Sequence, residues 1–259
     1  MRILFVGDVV GKAGRKITVT HLPLLKADFH IDFAIVNCEN AAAGFGITPR
    51  IGEELLAAGA DVLTSGNHVW DRKEAFEFLN KENRALRPAN YPPGVPGFGF
   101  WRGNVRDVEV AVLNLQGRVF MPSIDCPFRA FDSLRKNELA DARVLFVDFH
   151  AETTSEKIAF ASYVDGRASA VVGTHTHVTT ADETLLEGGT AYITDVGMTG
   201  AADSVIGMER EGAIQRFLLQ IPQKKFEPAE KNPRLSAVVI DIDETTGHAR
   251  SIQRVSRTE

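Results

Sequence analysis

The chain has 259 residues, 44% of them hydrophobic, enough for a continuous core in one large α/β domain spanning residues 1–259. Its net charge of −5 excludes a protein that grips long nucleic-acid polymers mainly through counterion release, while a small phosphorylated substrate stays compatible. Cys38 and Cys126 stand far apart and outside any Cys-x-x-Cys pair, which excludes a disulfide framework or a thiolate zinc site and predicts reduced, buried thiols.

The first predicted strand, Arg2 to Val6, is followed within two residues by the carboxylate Asp8, so it is too short for the apolar region of a signal peptide. No later segment reaches the apolar length of a membrane span, and a cytoplasmic location is the expectation. Further strands are predicted at Asp32 to Val36, Asp61 to Thr64, Val110 to Leu115, Val144 to Val147, Ala168 to Val172, Ala191 to Thr194 and Leu235 to Ile242. Each is a short apolar run, and stretches of helical spacing lie between several of them, the pattern of a largely parallel, covered α/β sheet. The clearest helix runs from Thr48 to Ala58, with Thr48 as its cap, Pro49 in the first turn and Gly59 closing it. Pro88 to Gly103 reads as an irregular loop because prolines and glycines crowd it. The alternation in Asn232 to Arg254 predicts a closing antiparallel hairpin.

Chemistry gathers where these runs end, the edge at which open α/β sheets form their ligand crevices. The strand ends read Gly7-Asp8, Asn37-Cys-Glu39-Asn40, Gly66-Asn67-His68, Asp148-Phe-His150 and Gly173-Thr-His175-Thr-His177. One histidine after a strand is more often an ordinary packing residue than a ligand, but four of the seven histidines fall at these ends. His175 and His177 are two apart, a spacing that in an extended segment turns both rings the same way. Asp8 alone is equally well a helix cap. Glu39 sits in a polar cluster with no helical face to solvate, and one carboxylate with two oxygens can bridge two cations ~3.5–4 Å apart. Asn67 can give a carbonyl oxygen, while His68 stays free for proton transfer and Asn40 can donate to phosphoryl oxygens. Asp71, Asp148 and Asp195 are candidates for orienting the imidazoles, with a plain surface role as the equal alternative. The loop from Gln116 to Phe128 is a candidate substrate wall or simply a packed connection.

Taken in order, Gly-Asp, an acidic bridge, Gly-Asn-His, a lone histidine and Gly-x-His-x-His resemble the calcineurin-like metallophosphoesterase superfamily. Two positions depart from its usual pattern: Val10 stands where a histidine is usual, and Glu39 where the bridge is usually aspartate. With Arg87-Pro-Ala-Asn90 and Asp195-Val-Gly-Met-Thr-Gly200, these departures resemble the YmdB-like branch of bacterial phosphodiesterases. The resemblance covers nearly the whole chain. It implies a four-layer αββα sandwich and two divalent or trivalent metal ions, iron or manganese. It further implies hydrolysis of cyclic nucleotides, notably 2′,3′-cyclic ones, by a metal-bound hydroxide. Carried over, Asp8, Glu39 and His177 hold one metal, Glu39, Asn67, His150 and His175 the other, and Asn40 and His68 contact phosphate.

Rival readings are a low-turnover nucleotide or metal sensor, suggested by Val10, and a phosphomonoesterase or protein phosphatase sharing the same metal centre. A homo-oligomer is compatible with all of them. A P-loop nucleotide site at Gly7 to Lys12 fails on spacing and on Ala13 in place of Ser or Thr.

Overall fold

Strand β1 (Arg2–Val6) buries both faces: Leu4 and Val6 pack with helices, and Ile3 and Phe5 pack against a second sheet. That two-sided burial explains its unbroken apolar sequence, and the same division runs through the whole protein. The computed structural model describes residues 1–221 and 227–259. In its first sheet, β1 pairs in parallel with β2 (Phe33–Asn37), which pairs in parallel with β3 (Val62–Thr64). On the other edge of β1 lies antiparallel β11 (Pro233–Ile242), which also pairs with β10 (Gly200–Ala201) and, as the expected closing hairpin, with β12 (Ala249–Thr258).

The second sheet runs β4 (Phe100–Val105), β5 (Val108–Gln116), β6 (Val144–His150), β7 (Ala170–Thr174), β9 (Ala191–Ile193) and β8 (Thr184–Leu185). The four strands from β5 to β9 are parallel, and the two edges are antiparallel. β4 corrects the sequence expectation, since Phe100 to Gly103 lie in a strand and not in a loop. As an edge strand it alternates half-buried and exposed residues and has no apolar run to announce it. The hairpin turn to β5 passes through Arg106 at φ 55°.

Helices α1 (Gly11–Asp28), α2 (Pro49–Ala57) and α3 (Lys73–Lys81) cover the first sheet through Ile17, Leu22, Leu25, Ile51, Leu55 and Phe78. Helices α4 (Pro127–Lys136) and α5 (Thr154–Val164) cover the second through Phe131, Phe160 and Val164. Between the sheets, Phe5 stacks on Phe146 at 5.4 Å. Three buried clusters between four layers make the αββα sandwich, with α6 (Arg210–Leu219) set apart and only Ala213 of it buried.

At α2, Thr48 occupies the cap position without a side-chain cap bond, and Gly59 turns the chain at φ 112° while Ala60 N–H reaches the Leu55 carbonyl at 3.2 Å. Cys38 is buried but Cys126 only partly, so the expectation of two buried thiols holds for one. No helix among the described residues is long and apolar enough to cross a membrane.

Candidate metal centre

The C-terminal ends of β1, β2, β3, β6 and β7 meet at one edge of the sandwich, and with them Asp8, Glu39, Asn67, His68, His150 and His175. Every group in the tightest knot faces His150 Nε2. Glu39 Oε2 lies 2.5 Å from it, His175 Nδ1 3.0 Å and Asn67 Oδ1 3.2 Å.

The placement of protons shows what this knot requires. Thr174 Oγ1 donates to Asp148 Oδ1 at 2.7 Å, so its oxygen accepts from His150 Nδ1 at 2.9 Å. That contact fixes the proton of a neutral His150 on Nδ1 and turns the Nε2 lone pair inward. His175 likewise directs Nε2 to Glu152 Oε2 at 3.0 Å, leaving Nδ1 as its inward lone pair. Four electron-pair donors therefore face one point. A proton can serve only one of them, whereas a cation satisfies all four. Glycine is required beside them, because a Cβ at Gly66 would meet His150 Nε2 at 2.3 Å and Glu39 Oε2 at 2.5 Å.

The titration behaviour has the same origin. Burial pushes the Glu39 carboxyl up, but the charge and hydrogen bond of His150 overrule it and hold it at about 2. Burial pushes His150 down, and the Glu39 carboxylate, with Asp8 behind it, carries it up to about 9. His175 falls to about 3 through burial and the neighbouring positive charge of His150. The carboxylates here recruit positive charge, and a protonated His150 is the substitute available without a cation.

A second knot lies beside the first. His177 Nδ1 donates to the Ile206 carbonyl at 2.8 Å, so Nε2 presents its lone pair to Asn40 Oδ1 at 3.2 Å. Asn40 uses its Nδ2 on the Gly44 carbonyl at 3.0 Å, which leaves the oxygen facing the ring. Asp8 is fully buried, its carboxyl is pushed up by burial, and His177 is the strongest charge acting against that rise. Asp8 Oδ1 is buried without a hydrogen-bond partner, and the buried Glu39 Oε2 has only the His150 contact. Asp8, Asn40 and His177 could hold one cation and Glu39, Asn67, His150 and His175 another, and Glu39 has an oxygen to offer each way. Asn40 thus joins the candidate donors through its oxygen, while the amide nitrogen that the sequence offered to phosphate is bonded to the Gly44 carbonyl. Val10 is buried with Cγ1 beside Gly207 and offers no donor atom to this knot.

The Gly-x-His-x-His segment departs from the extended geometry read from its spacing. β7 ends at Thr174, and His175 and His177 sit at φ 99° and 66°. Such conformations cost roughly 1–3 kcal/mol each unless the surroundings enforce them. Here they are enforced. His175 N–H reaches Asp8 Oδ2 at 3.3 Å, and Thr176 donates to Asp195 Oδ2 through N at 3.0 Å and Oγ1 at 2.8 Å. The two rings consequently point to different knots.

All three candidate aspartates have partners, but only Asp71 bonds an imidazole directly. Asp148 is buried and takes Thr64 Oγ1 at 2.6 Å and Asn37 Nδ2 at 2.9 Å besides Thr174, and burial pushes it up to about 7. Asp195 is buried beneath the histidine turn. Asp71 is exposed but lies 2.8 Å from His68 Nδ1, and Glu39 Oε1 takes the His68 backbone N–H at 2.8 Å. Sequence reasoning missed Glu152 and Lys157, and it gave no role to Thr174 and Gly66 although both lie inside the strand-end motifs.

A family model described as YmdB-like protein matches residues 4–255. The chain is 51% identical over 255 residues to the 2′,3′-cyclic-nucleotide 2′-phosphodiesterase of Bacillus subtilis (strain 168), covering 98% of this chain and 96% of that relative. A hypothetical protein from Thermus thermophilus superposes with TM-score 0.95 at 45% identity over 100% of both chains. A novel phosphatase from Mycoplasma pneumoniae superposes with TM-score 0.94 at 34% identity, over 100% of this chain and 94% of that one. With the sequence motifs, the four layers and the end-to-end match to such relatives all in agreement, the chain belongs to the YmdB-like family.

Proposed function

We propose that this protein is a cytoplasmic, two-metal phosphodiesterase, one metallophosphoesterase unit, that opens 2′,3′-cyclic nucleotides by hydrolysing the phosphorus–oxygen bond on the 2′ side. The observation that carries the reading is the convergence of Glu39, Asn67 and His175 donor atoms on His150 Nε2 within 3.2 Å. The activity of the Bacillus subtilis relative supports the substrate class.

The donor set mixes carboxylate, amide oxygen and imidazole, which suits iron or manganese. Glu39, Asn67, His150 and His175 would hold one ion, and Asp8, Asn40 and His177 would hold the other. Bound there, the ions supply Lewis-acid polarisation of the phosphoryl group and hydroxide at neutral pH.

The chain's own residues do the rest. Asp71 holds His68 by Nδ1, which commits Nε2 to the proton that the leaving 2′ oxygen needs. Phe45 packs edge-on against the His68 ring at 5.0 Å and limits its swing. Thr174 and Glu152 engage the outward nitrogens of His150 and His175, so the inward nitrogens are the ones turned to an ion. Water adds to phosphorus and gives up one proton to solvent, the bond to the 2′ oxygen breaks, His68 protonates that oxygen and regains a proton from solvent, and a 3′-phosphate remains.

Steady-state hydrolysis of 2′,3′-cyclic AMP against linear dinucleotides and phosphomonoesters tests the substrate class. A clear preference for a monoester would overturn it.

A further inference from the structure

Gln116 ends β5 as the register partner of His150, so the two side chains leave neighbouring strands, ~4.8 Å apart, on the same face. That face is the one between the sheets, because Val110 and Val112, at alternate positions before Gln116, belong to the intersheet core, as do Val144 and Phe146 on β6. The Gln116 backbone is fully engaged. Its N–H donates to Asn90 Oδ1 at 3.0 Å, its carbonyl accepts from Asn90 Nδ2 at 2.8 Å, and Gly117 N–H reaches the His150 carbonyl at 2.9 Å.

The side chain is not engaged at all. Gln116 is wholly buried, yet neither Nε2 nor Oε1 has a hydrogen-bond partner. A buried carboxamide left so costs roughly 1–3 kcal/mol for each unmet group. Nothing in packing demands that cost, since methionine fills nearly the same volume without polar atoms. An amide kept at this position therefore has work outside the protein's own hydrogen bonds. Gln116 thus brings two unspent polar atoms to the face and strand end where His150 joins the metal-donor knot.

We infer that the Gln116 carboxamide is a substrate-positioning group, its Nε2 donating to a non-bridging phosphoryl oxygen of the ester held beside His150. The inference rests on the phosphoesterase reading of the site.

The test compares wild type, Gln116→Met and Gln116→Glu, all loaded with manganese and shown by elemental analysis to hold equal metal. Titration calorimetry with inorganic phosphate measures anion binding, and thermal unfolding without ligand measures stability. Gln116→Met is expected to bind phosphate at least tenfold more weakly while its Tm stays level or rises, because an unmet amide has been removed. Gln116→Glu, which keeps acceptors but loses donors and adds negative charge, is expected to bind at least as weakly as Gln116→Met. Unchanged phosphate binding in Gln116→Met, or a lowered Tm as its only effect, assigns the amide to an internal water and overturns the inference. Wild-type-like binding by Gln116→Glu overturns it as well. Hydrolysis of 2′,3′-cyclic AMP by the wild type is followed separately, so a wrong substrate class shows there without altering what the phosphate titration decides.

Discussion

Lys157 Nζ lies 2.7 Å from Asp195 Oδ2, an ion pair buried at both ends that ties α5 to the turn carrying His175 and His177. The same Asp195 oxygen accepts both Thr176 bonds, and Oδ1 accepts Gly197 N–H at 2.8 Å. Removing one partner strands a charge in the core, so Lys157→Met should lower unfolding free energy by about 3–5 kcal/mol. Lys157→Met with Asp195→Asn should recover part of that stability but not the turn geometry. Denaturant unfolding of the single and double variants checks both, and an unaltered midpoint in Lys157→Met would contradict the claim.

Gly66→Ala should separate metal binding from folding. The new methyl collides with His150 and Glu39, side chains that can shift, and not with backbone. The variant should fold, with Tm within a few degrees of metal-free wild type, yet retain less than about a tenth of the wild-type metal at equal exposure. Elemental analysis after desalting decides it, and full metal content would show that the knot around His150 Nε2 is not where the ion sits.

Thr174→Val tests the relay from Asp148 to His150. The variant leaves Asp148 Oδ1 and His150 Nδ1 without their shared partner. Metal affinity should fall about 10–100-fold, and Thr174→Ser, which keeps the hydroxyl, should restore it. Competition against a chromogenic chelator gives the affinities, and equal losses in valine and serine variants would point to packing instead.

His68→Ala should reduce kcat by about 10²–10⁴-fold while leaving metal content and KM near wild type, as expected for proton transfer to a leaving group. Asp71→Asn should give a smaller loss, because it disturbs only the ring nitrogen away from the site. A substrate with a leaving group too acidic to need protonation, such as a nitrophenyl diester, should rescue His68→Ala. Failure of that rescue would assign His68 another role.

Most of the donor set was legible because its members follow directly on short apolar strands, where residue order alone fixes their place: Asp8 after β1, Glu39 after β2, Asn67 after β3, His150 ending β6. The strand-borne chemistry is local in sequence and survives folding unchanged. What was not legible depends on contacts between distant segments. Thr174 serves His150 from 24 residues away and Lys157 reaches Asp195 across 38, so neither pairing leaves a local trace. The histidine turn was read as extended because spacing gives no sign of a positive φ at non-glycine residues; Asp195 and Asp8 impose it. β4 went unread because an edge strand exposing Arg102 and Asn104 lacks the apolar run by which buried strands announce themselves.

Metal dependence of turnover tests the central claim most directly. Protein purified without chelator, stripped with one, and reloaded with manganese or iron should be assayed on 2′,3′-cyclic AMP alongside metal content. Activity should vanish on stripping, return in proportion to bound metal and approach its maximum near two ions per chain, with His150→Ala inactive throughout. Full turnover by stripped protein, or by His150→Ala, would contradict the account.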